Sequence, residues 1–383
     1  MKPARLKPPF LGVYVHVPFC RRKCAYCGFY SVAYREELAR GYVDAVVGEA
    51  ERAASLDAKT LYVGGGTPNV LSADLLARFL YGLSESFSNA VEVSAESNPD
   101  LLTPAKAKVL RIVGVTRVSI GIQSLSPSVL AVIGRNGKVQ QLPILMETLT
   151  SAGFTPEQVS FDVIYGIRGQ TDEDVGRTLD AVIKSGAAHV SLYGFTLEPG
   201  SRIAHMPSPP VGDEDLFRRH HLLIDRVLTD AGILRYELSN YAKPGHECLH
   251  NLNYWKGGEW LGLGPAASGT RRDGDTVLRT HNPPDVRRYV DAVLRGEPAP
   301  QTVERLSKEE ELEETVFLGL RLAEGLDEAA LKRRSGPSAN AMTKQAETLI
   351  ARGCLIRNNG RLLVPVDKIL LTDEIAVELL SVV

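Results

Sequence analysis

The sequence predicts an α/β fold: a partial, open barrel of parallel strands wrapped by helices, with a smaller α+β domain of winged-helix type behind it. Three observations predict it. From residue 11 to about 241, short apolar runs alternate with helical patterns, and strand–helix–strand repeated this often implies a parallel sheet with helices outside it. The units number six or seven, too few for a closed eight-unit barrel. A (β/α)6-type open barrel is therefore expected, with a doubly wound sheet as the alternative. Past residue 241 the rhythm breaks, and a compact tail follows.

The expected strands are Gly12–Val17, Thr60–Val63, Val91–Ala95, Arg117–Gly121, Gln158–Ile164, Val190–Tyr193 and Leu234–Leu238. The helices between them are Glu36–Ala54, Ala73–Leu83, Pro104–Ile112, Leu142–Ala152, Asp172–Lys184 and Asp213–Ala231. Their apolar residues recur at helical spacing, as in Leu142, Leu145, Met146 and Leu149. In either fold the chemistry belongs in loops at the carboxyl ends of the strands. Within the last helix, His220 and His221 are expected to face solvent.

Residues 1–241 form the expected core domain, 242–305 a connecting region rich in Gly, Pro, Asn and Trp, and 306–383 the tail. In the tail, Glu309–Leu322 and Ala339–Arg352 are expected helices. The runs Cys354–Arg357 and Arg361–Val364 flank Asn358-Asn-Gly360, a hairpin signal. Helix, helix and hairpin resemble a winged-helix module. Such modules often bind DNA, but Glu309-Glu-Glu-Leu-Glu-Glu314 is strongly acidic, so packing or partner docking is expected and nucleic acid is not.

Composition narrows the function classes. The chain has 383 residues, 44% hydrophobic and 23% charged, with a formal net charge of −2. That balance gives no general affinity for nucleic acid or anionic membranes. No apolar run approaches the roughly 20 residues that span a bilayer. The basic start, Met1–Phe10, leads into no signal-peptide pattern, so a cytoplasmic protein is expected. The five cysteines, odd and sparse, argue against a disulfide scaffold and suit a reducing compartment. Cys354 follows a helical pattern and is expected in a core.

The other chemistry-bearing cysteines stand in His16-Val-Pro-Phe-Cys-Arg-Arg-Lys-Cys-Ala-Tyr-Cys-Gly-Phe29, directly after the first strand. Three thiolates, Cys20, Cys24 and Cys27, can hold three corners of a cuboidal iron–sulfur cluster and leave one iron open to a small molecule. The spacing alone also admits a structural zinc site. Zinc normally wants four ligands, and Cys248 or His246 would complete the set. Further on, Leu61-Tyr-Val-Gly-Gly-Gly-Thr-Pro68 is a strand ending in a glycine turn, whose bare backbone lets a ligand approach and offers N–H donors. It is no P-loop, because no Gly-Lys-Ser/Thr follows.

Cys-x3-Cys-x-aromatic-Cys, met by Cys20, Cys24, Tyr26 and Cys27, resembles the signature of the radical S-adenosylmethionine (SAM) enzymes. The resemblance implies a [4Fe–4S] cluster on the three cysteines. It implies S-adenosylmethionine chelating the fourth iron and a 5′-deoxyadenosyl radical after one-electron cleavage. By the same resemblance, Tyr14, Tyr26, Gly65, Gly66, Thr67, Glu96, Gln123, Arg135 and Asp162 line the cosubstrate cavity. Arg135 has the fork to pair a carboxylate in bidentate fashion.

Tyr14-Val-His-Val-Pro-Phe-Cys20, Gly64-Gly-Gly-Thr-Pro68, Gly121-Ile-Gln-Ser124 and Asp162-Val-Ile-Tyr-Gly166 narrow the likeness to the oxygen-independent coproporphyrinogen III oxidase group. True oxidases of that group carry a fourth cysteine two residues after the third, where this chain has Phe29, and a long N-terminal extension, where this chain has ten residues. Radical decarboxylation of coproporphyrinogen III to protoporphyrinogen IX is thus the alternative activity. His250-Asn-Leu-Asn-Tyr-Trp255 resembles the His-Asn-x-x-Tyr-Trp hallmark of the sister branch, the heme chaperones. That branch implies heme binding with His250 as leading iron ligand, His246 and Cys248 nearby, and transfer of heme to acceptor proteins, one of them at a membrane. It also implies a reductant such as flavodoxin or ferredoxin and a monomer or homodimer. No residue is assigned a catalytic role.

Overall fold

The computed structural model describes residues 6–135 and 142–383. Six parallel strands follow in order: β1 Leu11–Val17, β2 Thr60–Gly65, β3 Glu92–Ser97, β4 Arg117–Gln123, β5 Val159–Tyr165 and β6 His189–Gly194. Each pairs with the next. Sequential pairing is barrel-type winding, since a doubly wound sheet reverses at a switch point. The sheet keeps two ends, so the barrel is open.

Helices follow the strands: α1 Glu36–Arg52, α2 Ala73–Ser86, α3 Pro104–Ile112, α4 Pro127–Val132 with α5 Leu142–Ser151, α6 Asp172–Lys184 and α7 Glu214–Asp230. Their starts are written locally. Ser72, Thr103, Thr171 and Asp213 each accept an N–H of the first turn, the usual remedy for orphan donors at a helix start.

Each strand has two faces of opposite character. Val13, Val15, Leu61, Val63, Val93, Val118, Ile120, Phe161 and Val190 join the helices in the main hydrophobic core. Between them stand Tyr14, His16, Thr60, Tyr62, Glu92, Glu96, Ser119, Asp162, Ser191 and Tyr193, which meet one another inside the barrel. Successive strand residues point to opposite sides, so the polar half of every strand lines the interior.

Three expectations need correction. Leu234–Leu238 is not a further parallel strand. It gives only β7 Leu234–Arg235, and β8 Asn240–Ala242 then runs antiparallel to both β6 and β7. The buried Glu237 accepts from the Ser239 N–H and the Asn240 amide, which turns the chain back. His220 and His221 do not face solvent. They share the inward face of α7 with Phe217, Ile224 and Leu228, and both are buried. Cys354 is only partly buried, at the edge of the tail core. Residues 242–305 carry regular elements. After α8 Leu249–Trp255, strand β9 Glu259–Leu263 pairs parallel with β1. An antiparallel meander continues it, β10 Ser268–Asp273, β11 Thr276–His281 and β12 Thr302–Arg305, with α9 Val286–Leu294 between the last two. The sheet thereby reaches 12 strands.

The tail comprises α10 Lys308–Arg321, β13 Leu326–Asp327, α11 Glu328–Ser335, α12 Ala339–Ala351, β14 Ile356–Asn358, β15 Arg361–Leu363 and α13 Thr372–Leu380. Asn359 and Gly360 both take positive φ, 49° and 73°, which the two-residue hairpin turn requires. A separate core built on Leu312, Val316, Leu320, Leu349 and Leu362 holds it. Of its acidic run, Glu311 pairs with Lys308 and Arg334 of the tail and with Arg272 of β10, and Glu314 pairs with Arg279 of β11, while Glu309, Glu310 and Glu313 are exposed. No helix among the described residues is long and apolar enough to cross a membrane.

Candidate cluster and cosubstrate site

The cysteine loop is pinned at its neck. Phe19–Cys20 pairs with Val32–Ala33, and the Val32 and Tyr34 N–H groups donate to Pro18 O and Cys20 O at 2.8 and 3.1 Å. Its far side rests on the next layers. The Ile203 N–H donates to Ala25 O at 3.0 Å. Gly134, at φ +69°, lies so close that a Cβ there would stand 2.7 Å from the Ala25 methyl. Tyr26 packs on a small apolar cluster with Ile133, Ile164 and Phe195.

All three sulfurs are free thiols and partly accessible. Burial pushes the Cys24 and Cys27 thiols up. Arg135 and Arg22 pull Cys24 back, while the Phe29 N–H and Lys23 do so for Cys27. Nearby cations favour the thiolate, the form that binds metal. Among the described residues no three His, Cys, Asp or Glu side chains converge on a single ion, and Cys248 lies away from the trio. A zinc tetrahedron needs such convergence. Cysteines of a cubane each take a different iron, and three thiols on one loop, with cations beside Cys24 and Cys27, are a donor set of that chemistry.

The glycine turn buttresses this loop. Gly66 N–H donates to Val17 O and Thr67 N–H to Phe19 O, each at 2.8 Å. The Thr67 hydroxyl lies 3.5 Å from the Cys20 sulfur. Gly65, at φ +104°, gives its N–H to Glu96 Oε2 at 3.1 Å. The donors expected for a ligand are therefore spent inside the protein. The turn's role is to lock the cysteine loop, and what it can offer a ligand is carbonyl oxygen.

The remaining expected residues meet below the loop. Arg135 donates to Gln123 Oε1 and to Gly121 O, and shares a hydrogen bond with Tyr26. Gln123 sits at φ 59°, where the β4–β5 register slips. That bulge aims the side chain away from the regular ladder. Asp162 accepts from the Ser119 and Ser191 hydroxyls. Glu96 accepts from the Tyr62 hydroxyl at 3.1 Å. Burial, with Asp162 beside it, raises the Glu96 carboxyl to about 7, and burial raises Asp162 as well. Two buried acids with too few cations are a cavity matched to a positively charged ligand. A sulfonium with an ammonium group is such a ligand. Tyr14 faces the same interior from the middle of β1, in register with Tyr62 and with its hydroxyl 3.0 Å from His16 Nδ1.

His250 lies elsewhere. It is buried at the opposite, amino-terminal end of the strands, where Thr60 Oγ1 holds Nδ1 at 2.8 Å and the Tyr254 hydroxyl holds Nε2 at 2.6 Å. Its ring stacks on Tyr62 at 5.3 Å. Burial lowers its pKa to about 3, so the ring is neutral. Cys248, also buried, points its thiol at Glu92, and burial pushes that thiol far up. His246 lines an open cleft of about 630 Å³ with Arg111, Arg117 and Glu157. Helix α8 thus plugs the barrel floor. Glu92 caps it, accepting from the Leu249 and His250 N–H groups at 3.0 Å, and pairs with Arg117 at 3.6 Å. At its far end Trp255 bonds Glu237 and lies under Arg321 of the tail.

Thr60, Tyr62 and Glu92 were not singled out by sequence, and Tyr254 was named only as part of the α8 motif. A signal existed: Thr60, Tyr62 and Gly64, like Glu92, Ser94 and Glu96, fall every second residue in otherwise apolar strands.

A family model described as "Radical SAM superfamily" matches residues 14–182, and one described as "HemN C-terminal domain" matches 306–365. The chain is 36% identical to a protein of Mycobacterium tuberculosis named heme chaperone HemW, over 97% of this chain and 95% of that one. It is 30% identical to the protein of Bacillus subtilis named heme chaperone HemW, over 91% of this chain and 93% of that one. Among solved structures, the coproporphyrinogen III oxidase HemN of Escherichia coli, described as a radical SAM enzyme, superposes with a TM-score of 0.80. That match has 22% identity and covers 98% of this chain and 91% of that one.

Proposed function

Because the chain belongs to the HemW family within the radical SAM superfamily, we propose that it binds heme and hands it to acceptor proteins, carrying a [4Fe–4S] cluster and S-adenosylmethionine. The observation that carries this reading is the co-occurrence, in one chain like HemW over its whole length, of the assembled cavity and the α8 motif. The likeness to the oxidase is one of fold.

Cys20, Cys24 and Cys27 would hold the cluster, and Glu96, Gln123, Arg135, Asp162, Tyr14, Tyr26 and the Gly65–Thr67 turn the cosubstrate. When bound, the cluster supplies one reducing electron and an open iron position. The residues do the rest. The Glu96 and Asp162 carboxyls balance a cationic ligand, the Arg135 fork offers charge to a carboxylate, and Tyr26 walls the cavity under the loop.

His250 as heme ligand is part of the proposal, and its setting adds a condition. Both ring nitrogens are engaged, so ligation through Nε2 requires the Tyr254 hydroxyl to move aside. The neutral ring is the form that binds iron. With its pKa near 3, heme affinity through this residue should not titrate between pH 5 and 8. A cytoplasmic location, a flavodoxin-like or ferredoxin-like electron donor, an acceptor at a membrane, and a monomer or homodimer complete the reading.

The test is anaerobic heme titration with and without the reconstituted cluster, alongside assay with coproporphyrinogen III. Heme uptake without porphyrinogen turnover supports the chaperone, and protoporphyrinogen IX formed over many turnovers would replace it with the oxidase. His250→Ala should weaken heme binding at least tenfold while leaving cluster absorption intact. A heme titration identical to the parent's removes His250 as ligand.

A further inference from the structure

We propose that Tyr62 is a positioning residue shared by two sites: its hydroxyl sets the Glu96 carboxyl in the cosubstrate cavity, and its ring backs His250 at the barrel floor. The second half rests on the heme reading above.

Strand β2 is the element that touches both places. Its inward residues are Thr60, Tyr62 and Gly64. Thr60 holds His250 Nδ1 at 2.8 Å. Gly64 is bare because Glu96 lies over it, and a Cβ there would stand 2.7 Å from the carboxyl. Tyr62 spans the gap between them. Its hydroxyl donates to Glu96 Oε1 at 3.1 Å, while the Gly65 N–H takes Oε2 at 3.1 Å. Each oxygen of the carboxyl is thus fixed by one donor from the same strand. Deleting the hydroxyl leaves a single donor, about which the carboxyl can swing.

The ring makes the second contact. It stacks on the His250 imidazole with centroids 5.3 Å apart and planes inclined 28°. Beyond it, Tyr254 meets the same imidazole edge-on at 4.7 Å. His250 is therefore held between two tyrosine rings and two hydrogen bonds. A shift of Glu96 when a ligand enters the cavity is transmitted to the ring on which His250 rests. Such linkage between sites is reciprocal.

Burial and Asp162 on β5 raise Glu96, while the Tyr62 hydroxyl and the Gly65 N–H lower it, and Glu96 in turn raises Tyr14 on β1, Tyr193 on β6 and Tyr254 on α8, which face it. The Tyr62 hydrogen bond favours the ionised carboxyl. Its loss should move Glu96 further up.

The experiment titrates S-adenosylmethionine onto protein with an oxidised cluster, so that no electron is available to cleave it, from pH 6 to 8.5. Tyr62→Phe keeps the ring and removes the hydroxyl. It should bind about tenfold more weakly, the scale of a hydrogen bond to a charged group, with the midpoint of the pH profile displaced upward and unchanged heme affinity. Tyr62→Leu removes the ring and should weaken heme binding as well. In the parent, saturating S-adenosylmethionine should change heme affinity several-fold, and in Tyr62→Phe it should not. A Phe variant with parental affinity and pH profile overturns the Glu96 half. Phe and Leu variants with equal heme affinities overturn the ring half. If Tyr62→Leu prevents folding, loss of the coupling in Tyr62→Phe still decides. A parent protein that takes up no heme defeats the heme reading and the ring half with it, while the S-adenosylmethionine titration still judges Glu96.

Discussion

Gly66→Ala is the smallest change that should empty the cysteine loop without touching a cysteine. A Cβ at this position would stand 2.6 Å from Phe19 O and 2.8 Å from Val17 O, both backbone atoms. Ordinary contact begins at 3.4 Å, so the nearer carbonyl must retreat by about 0.8 Å. Those same carbonyls accept the Gly66 and Thr67 N–H groups at 2.8 Å; a retreat of that size takes the Thr67 bond past useful length, and the smaller shift of Val17 O stretches the Gly66 bond to its limit. Two hydrogen bonds at roughly 1 kcal/mol each, with about 1–3 kcal/mol of overpacking, put the local cost at about 3–5 kcal/mol. The loss falls on the residue before Cys20, and binding sites tolerate displacements of only about 0.5 Å. The assay is iron and sulfide content after anaerobic reconstitution, beside the thermal melt. Gly176→Ala serves as control. It lies in α6 with nothing within 4 Å of the added methyl, and should stabilise by roughly 0.5–1 kcal/mol. Full cluster content in Gly66→Ala would refute the view that the glycine turn locks the loop.

Three further outcomes are expected. Cys24→Ala should abolish the brown cluster absorption, and full iron content in that variant would break the assignment of the trio. Affinity for S-adenosylmethionine should fall below pH 7, by up to about tenfold per unit, and level off above it. There Glu96, raised to about 7, must lose a proton to meet a cationic ligand; Glu96→Gln should flatten the profile, and a parental profile in that variant refutes the role. Glu92→Gln should destabilise the fold by about 3–5 kcal/mol, since it strands buried Arg117 beside the α8 N-terminus; an unchanged denaturation midpoint would show that this pair does not hold the floor.

What a sequence can state is local. Helices starting at Ala73, Pro104 and Asp172, six strand–helix units and the hairpin turn at Asn358-Asn-Gly360 were all legible, because periodicity and positive-φ turns involve residues a few positions apart. The cysteine spacing pointed to its chemistry for the same reason. The seventh strand failed because Glu237, buried by distant elements, turns the chain. His220 and His221 failed because polarity was taken for exposure, whereas their positions on α7 match Ile224 and Leu228. Only the tertiary structure revealed that β9 closes onto β1, that the glycine turn spends its donors on the cysteine loop, and that His250 lies beneath Tyr62 at the other end of the barrel from the thiols. Those are contacts between residues up to 248 positions apart in register, as Leu11 with Glu259. Their partners are chosen by packing and burial of the whole sheet, which no window of sequence contains.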